Sequence, residues 1–233
     1  MHKIDIPAEI AARAMRARGR EHIFERIEVA RTAHLVVDLQ NGFIGEGAAV
    51  EVPTAREIVP NVNRISAALR EAGGTNVFLR YTCDPDEKQP WTTRYAEYLS
   101  AERSALHSAA FTRGAEPWQL WPLLDLRPND LIVDKTRFSA FVPGTCALHE
   151  MVEARGIDTL IVTGTLTNVC CESTTRDAMQ RNYRVIFVAD GNAALTDAEH
   201  NATLCNMVTL FADVMTTAEV LDVLAAGKFR GAA

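Results

Sequence analysis

Long apolar runs are missing from this sequence. Nowhere in its 233 residues does a stretch approach the roughly 18 apolar residues that a membrane-crossing helix needs, so no membrane span is expected. The first 28 residues, MHKIDIPAEIAARAMRARGREHIFERIE, lack the apolar segment of a secretory signal. Their acids (Asp5, Glu9, Glu21, Glu25, Glu28) argue against an organelle transit peptide. Positive charge is also scarce: 24 Lys and Arg stand against 30 Asp and Glu, a formal net charge of −6. No basic cluster with interleaved aromatics occurs, so no nucleic-acid partner is expected. The five cysteines (Cys83, Cys146, Cys170, Cys171, Cys205) are an odd number and form neither CxxC nor a zinc-like Cys/His spacing. That pattern predicts free thiols in a reducing, cytoplasmic setting. Adjacent Cys170 and Cys171 are poor disulfide partners, because neighbouring Cα atoms lie about 3.8 Å apart against the usual span of about 4.4–6.8 Å. Repeats, low-complexity tracts and linkers are absent too, which leaves one globular domain over 32–233 behind a helical extension at 1–31.

What is present is an alternation of short apolar runs and longer helical patterns. Residues 33–39, 76–81, 130–134, 158–165, 184–190 and 212–216 read as strands. Several are continuously apolar and rich in Val and Ile, as in a parallel sheet buried on both faces. Helical spacing marks 57–73, 145–156, 168–182, 197–211 and 217–227, with Gly73 and Gly156 as stops and Thr196 as an N-cap. The expected fold is α/β, with a six-stranded, mostly parallel sheet covered on both sides. Residues 82–128 break the rhythm with Pro85, Pro90, Pro117, Pro122, Pro128 and all three tryptophans. This reads as an excursion holding one helix near 92–106, and such excursions often build or cover a site. The N-terminal helix carries an apolar stripe (Ile10, Ala11, Ala14, Met15) that needs a partner, in its own domain or a second subunit.

Ligands in open parallel sheets bind beyond the carboxyl ends of the strands. Asp38 ends the first strand, Lys135 the third, Gly164 and Thr165 the fourth, and Cys170 opens the helix that follows. Singly, each has a structural reading: a loop-capping carboxylate, a solvated ammonium, a small core thiol. Jointly they complement one another. A cation and a helix N-terminus, capped by Thr167 or Asn168, lower a thiol pKa, while a carboxylate can take and return its proton. Successive helical residues point about 100° apart, so only one of Cys170 and Cys171 can face the cleft. Spacing alone does not choose between them.

Three ordered stretches, VVDLQNGF, DKTRFSAFVPGTCAL and VTGTLTNVCCESTTRDA, resemble the motifs of the isochorismatase-like cysteine hydrolases over roughly residues 32–220. The resemblance implies a three-layer α/β/α sandwich, Cys170 as nucleophile with Asp38 and Lys135, and Cys171 in a packing position. It also implies a cis peptide between Thr165 and Leu166, an oxyanion hole made by the Leu166 and Cys170 N–H groups, and a homo-oligomer, dimer or tetramer. Gly42 stands where the family often has aspartate. The histidine-rich metal site of the nicotinamidase branch has no counterpart, so neither a catalytic metal nor another cofactor is expected. The six histidines (His2, His22, His34, His107, His149, His200) are read as structural or solvated.

The expected activity is hydrolysis of the C–N bond of a small amide, ureide or lactam through a thioester. Phe43, Arg80, Tyr81, Trp91, Arg137, Phe138 and Phe141 are candidate substrate-binding residues, an aromatic wall with a few polar groups. For Phe138 and Phe141 the alternative is a place in the core; for Arg137, pairing with an acid. Three rivals stand beside this reading: a vinyl-ether hydrolase that uses Asp38 alone, a non-catalytic binding module, and a redox sensor built on Cys170 and Cys171.

Overall fold

The computed structural model describes residues 1–84 and 86–228; Pro85 and residues 229–233 lie outside the described residues. Six strands, β1 (Thr32–Val37), β2 (Thr75–Tyr81), β3 (Leu131–Lys135), β4 (Thr159–Thr165), β5 (Arg184–Ala193) and β6 (Asp213–Met215), form one sheet. Their order is β3-β2-β1-β4-β5-β6, and every pairing is parallel. All six residues of β1 are buried, as its continuous apolar character requires of a central strand.

Side chains alternate across the sheet. Leu35 and Val37 face one side, where they pack with Leu148, Val152, Ala178 and Leu204. These come from helices α6 (Leu148–Glu153), α7 (Glu172–Gln180) and α8 (Asp197–Asn206). Val36 faces the other side and packs with Ile58, Val59 and Val62 of helix α3 (Ala55–Glu71). Helix α9 (Thr217–Lys228) extends that layer through Val220 and Leu224, packed with Ile65, Leu69 and Ile161. Helices therefore cover both faces, and each fully buried Leu or Ile contributes about 1.5–3 kcal/mol. His34 also points toward α3, with its ring nitrogens 3.1 Å from Ser66 Oγ and 2.7 Å from Thr163 Oγ1. Burial pushes its pKa down to about 3, so it is a neutral core residue.

Several elements differ from the sequence reading. The helix expected over 145–156 is only α6, because residues before it are taken up by a turn against β3: Thr136 N–H donates to the Thr145 carbonyl and Lys135 bridges Cys146. The helix near 92–106 is two, α4 (Thr92–Ala96) and α5 (Ala101–Phe111), with the Ser100 hydroxyl capping the second by accepting from Arg103 N–H. The helix after β4 opens as a π-helical turn, Thr167–Cys171, without a side-chain cap. Thr167 is instead 2.9 Å from His200 Nδ1. Thr196 does cap α8, accepting from Glu199 N–H.

Helix α1 (Ala8–Arg18) lies on its own domain. Ala14 is buried, Ile10 is half-buried, and Ala11 and Met15 are exposed, so half of the expected apolar stripe is not used in this packing. No helix among the described residues is long and apolar enough to cross a membrane.

Candidate active site

The chain runs outward from β1 through β2 to β3, then returns to β4 on the other side of β1. The crevice at this reversal is where an open parallel sheet receives ligands. Asp38 follows β1 with φ 51°, a left-handed conformation that aspartate tolerates better than most residues. Gln40 fixes the turn into the short helix α2 (Asn41–Ile44): its amide donates to the Tyr81 and Trp118 carbonyls (3.0 and 2.8 Å) and accepts from Tyr81 N–H at 2.8 Å. It was not singled out in the sequence, although it sits inside the first motif.

On the β4 side, Gly164 has φ 126°. A Cβ there would stand 2.1 Å from the Val37 carbonyl oxygen, so only glycine lets β4 and β1 approach this closely. The Thr165–Leu166 peptide that follows is cis. The π-helical turn then places Cys170 3 % exposed at the crevice and Cys171 fully buried in the core beneath it. Wide turns of this kind recur at functional sites. All five cysteines are free.

Asp38, Lys135 and Cys170 meet here. Lys135 Nζ is 2.8 Å from Asp38 Oδ2, with both side chains fully buried, and it donates to the Arg137 carbonyl at 3.0 Å. Cys170 lies close enough to both that each charge acts on its thiol. Burial pushes the Asp38 carboxyl above its ordinary range, though Lys135 opposes this. For Lys135, burial acts downward but the Asp38 charge outweighs it, and its pKa is raised. Burial drives the Cys170 thiol strongly upward, beyond what Lys135 can offset, and the Asp38 charge adds to the rise. The lowering of the thiol pKa expected from a nearby cation is therefore outweighed here by burial. Burial thus opposes ionisation of the thiol, while Lys135 favours it.

Cys170 borders a cavity of about 640 Å³. Phe43, Tyr81 and Phe138 line it, together with Leu166, Val169 and the loop residues Ala48 to Val52. Phe43 stacks on Phe111 (centroids 4.6 Å apart) and Tyr81 donates to or accepts from Tyr95 at 2.7 Å. Gly42 packs against the same ring; a Cβ there would lie 2.9 Å from Phe111 Cζ, so no larger side chain fits at the position where the resemblance offers aspartate.

Four candidates lie elsewhere. Arg80 and Asp134 are register partners on β2 and β3; their side chains pair at 2.8 Å, and the guanidinium stacks 3.7 Å over Trp118. Arg137 pairs with Glu87 at 2.7 Å and lies over the Trp91 ring. Trp91 supports Phe138 edge-on from behind, centroids 4.8 Å apart. Phe141 is in the core, 5.4 Å from the Tyr183 ring. Arg94, Arg103 and His107 line the cavity from the excursion, and the sequence carries no motif that marks them. Among the described residues no group of three or more His, Cys, Asp or Glu side chains could hold a metal ion.

The sequence and the fold have counterparts among known proteins. A ureidoacrylate amidohydrolase of Pseudomonas savastanoi pv. phaseolicola is 30% identical over 221 residues, covering 89% of this chain and 88% of that protein. A ureidoacrylate amidohydrolase of Methylorubrum extorquens is 31% identical over 212 residues, covering 85% of each. The crystal structure of a cysteine hydrolase from Pseudomonas syringae pv. phaseolicola superposes with a TM-score of 0.77 at 30% identity, covering 86% of this chain and 95% of that one. The isochorismatase domain model matches residues 32–219, and the chain belongs to the isochorismatase-like hydrolase family.

Proposed function

We propose that this enzyme hydrolyses the C–N bond of a small amide or ureide with Cys170 as nucleophile and a thioester as intermediate. The observation that carries this reading is the ion pair of Asp38 and Lys135, 2.8 Å apart, beside Cys170, which itself borders the cavity. The ureidoacrylate amidohydrolases named among its relatives support a ureide over other amides.

In this mechanism Asp38 takes the Cys170 proton as the sulfur adds to the substrate carbonyl. Lys135 holds Asp38 in place and balances charge as it moves from carboxylate to sulfur. The Leu166 and Cys170 N–H groups hold the oxyanion. Asp38 then passes its proton to the leaving nitrogen, the C–N bond breaks, and a thioester remains. Water, losing a proton to Asp38, adds to that thioester; the C–S bond breaks and Asp38 returns the proton to Cys170.

A screen for ammonia and amine release over small ureides, carbamoyl compounds, amides and lactams tests the proposal, with Cys170→Ser as the blank. Cys170→Ala is expected to lose more than about 10³-fold in kcat and to yield no acyl-enzyme mass on acid quench. Cys171→Ala is expected to retain turnover. Full activity in Cys170→Ala would sink the cysteine mechanism and favour a route through Asp38 alone.

A further inference from the structure

The cavity wall opposite the motifs has an unbalanced charge. Glu51 borders the cavity, but it is already engaged by Arg56 at 2.7 Å and by the Gly47 N–H at 2.8 Å. His107 is kept neutral, its pKa pushed down to about 4 by burial and by the charges of Arg94 and Arg103. Those two guanidiniums have no such partner. Among the described residues, neither makes an ion pair or a side-chain hydrogen bond. Arg94 is half-buried on α4. Its Nε is shielded from solvent with no acceptor, and its Cζ lies 5.3 Å from the centroid of the cavity residue Phe138. Arg103 stands exposed on α5.

The contrast with nearby arginines is informative. Arg80 and Arg113 both reach Asp134, and Arg137 reaches Glu87. The fold thus supplies carboxylates to the arginines that hold the excursion in place and leaves the one beside Phe138 without any. A shielded N–H donor without an acceptor is destabilising until a ligand supplies one. A planar guanidinium is also the side chain best shaped to take a carboxylate with two parallel hydrogen bonds.

We propose that Arg94 is a specificity-determining residue that binds a carboxylate on the substrate, with Arg103 drawing anions to the cavity mouth. The substrate is then an anionic small molecule, with a carboxylate at one end and the scissile amide or ureide carbon at Cys170. This inference rests on the reading that this cavity is the substrate site, and its test separates the two.

The first measurement needs no turnover. Cys170 is alkylated with iodoacetate, an anion, and with iodoacetamide, its neutral counterpart, and the modified peptide is followed by mass spectrometry in wild type, Arg94→Met and Arg94→Lys. The ratio of the iodoacetate rate to the iodoacetamide rate at Cys170 is expected to fall about 10-fold or more in Arg94→Met and to be kept in part by Arg94→Lys. An unchanged ratio overturns the assignment. The second measurement compares a ureide carboxylic acid with its carboxamide. Arg94→Met is expected to raise KM for the acid about 10- to 100-fold, with kcat moved far less, so that the preference for acid over carboxamide collapses. Equal losses on both substrates overturn the role of Arg94 and leave the hydrolase reading intact. A shifted alkylation ratio in a protein that turns over neither substrate upholds the anion site and removes the hydrolase reading. Arg94→Lys guards against a variant of methionine that fails to fold.

Discussion

Asp38 and Lys135 are both fully buried, and neither could stay charged there alone. Removing two such ions from water costs several kcal/mol each, and their attraction offsets this only while both remain. The pair therefore has a structural consequence separable from chemistry. Asp38→Asn is expected to lower stability by roughly 3–5 kcal/mol by stranding the ammonium, and Lys135→Met by a similar amount by stranding the carboxylate. The double variant Asp38→Asn/Lys135→Met should recover much of that loss in urea denaturation while remaining inactive. Additive losses would mean that the two groups do not interact as the 2.8 Å contact implies. That Asp38, Lys135 and Cys170 come together was legible in the sequence because each ends a strand or lies in the turn beyond one, inside a motif. Arg94 and His107 were not: they reach the cavity from a proline-rich segment whose course follows from tertiary packing, with no periodic pattern to mark it. Arg80 misled for a related reason. A strand-end position marks a residue as near the crevice, but its cross-strand neighbour Asp134 decides where its side chain goes.

At the scale of elements, the site depends on how closely β1 and β4 approach at their carboxyl ends. The strands themselves were readable because burial on both faces demands uninterrupted apolar sequence. Helix ends were less so, because local competition decides them: the Thr136–Thr145 contact shortens α6, and the Ser100 cap divides the excursion helix. The π-helical turn bearing Cys170 has no sequence signature, since its hydrogen bonds run from Cys171 N–H to the Leu166 carbonyl at 3.2 Å and its residues suit an ordinary helix equally well. Gly164 is where this element-scale geometry can be tested. Gly164→Ala places a methyl 2.1 Å from the Val37 carbonyl oxygen at a φ that L residues rarely adopt. It is expected to cost about 3 kcal/mol or more and to reduce activity further than stability alone explains, because Thr165, Leu166 and the turn bearing Cys170 follow directly. A Gly164→Ala protein with wild-type denaturation and turnover would show that the strands can separate without disturbing the site.

At the scale of the molecule, one buried acid fastens the end of the N-terminal segment to the far edge of the sheet, while His2, Lys3 and Asp5 hold its start against Asp197, Asn201 and Ala194. Asp213, on β6, accepts from the Ile23 and Phe24 N–H groups at 2.6 and 2.9 Å, lies 3.0 Å from His22 Nδ1, and has Arg18 at 3.6 Å. Arg18 also donates to the Ala212 carbonyl at 2.7 Å. Burial alone would lower the His22 pKa, but Asp213, with Glu219 and Glu21 nearby, outweighs it and the pKa is raised above 6.5. A histidine raised on folding stabilises fully below its unfolded value and loses that contribution as pH climbs through the folded one. Fastening should therefore be strongest under mildly acidic conditions and weaken on the alkaline side of neutrality. His22→Gln is expected to cost about 1 kcal/mol at pH 6 and much less at pH 8.5, measured by urea denaturation at both values. The same comparison by amide exchange, expressed as protection factors that divide out the base-catalysed intrinsic rate, should show α1 better protected at pH 6 than at pH 8.5 in wild type but not in the variant. A His22→Gln penalty independent of pH would mean that the imidazole contributes packing and hydrogen bonding alone, and that the two backbone bonds to Asp213 hold the segment without help from its charge.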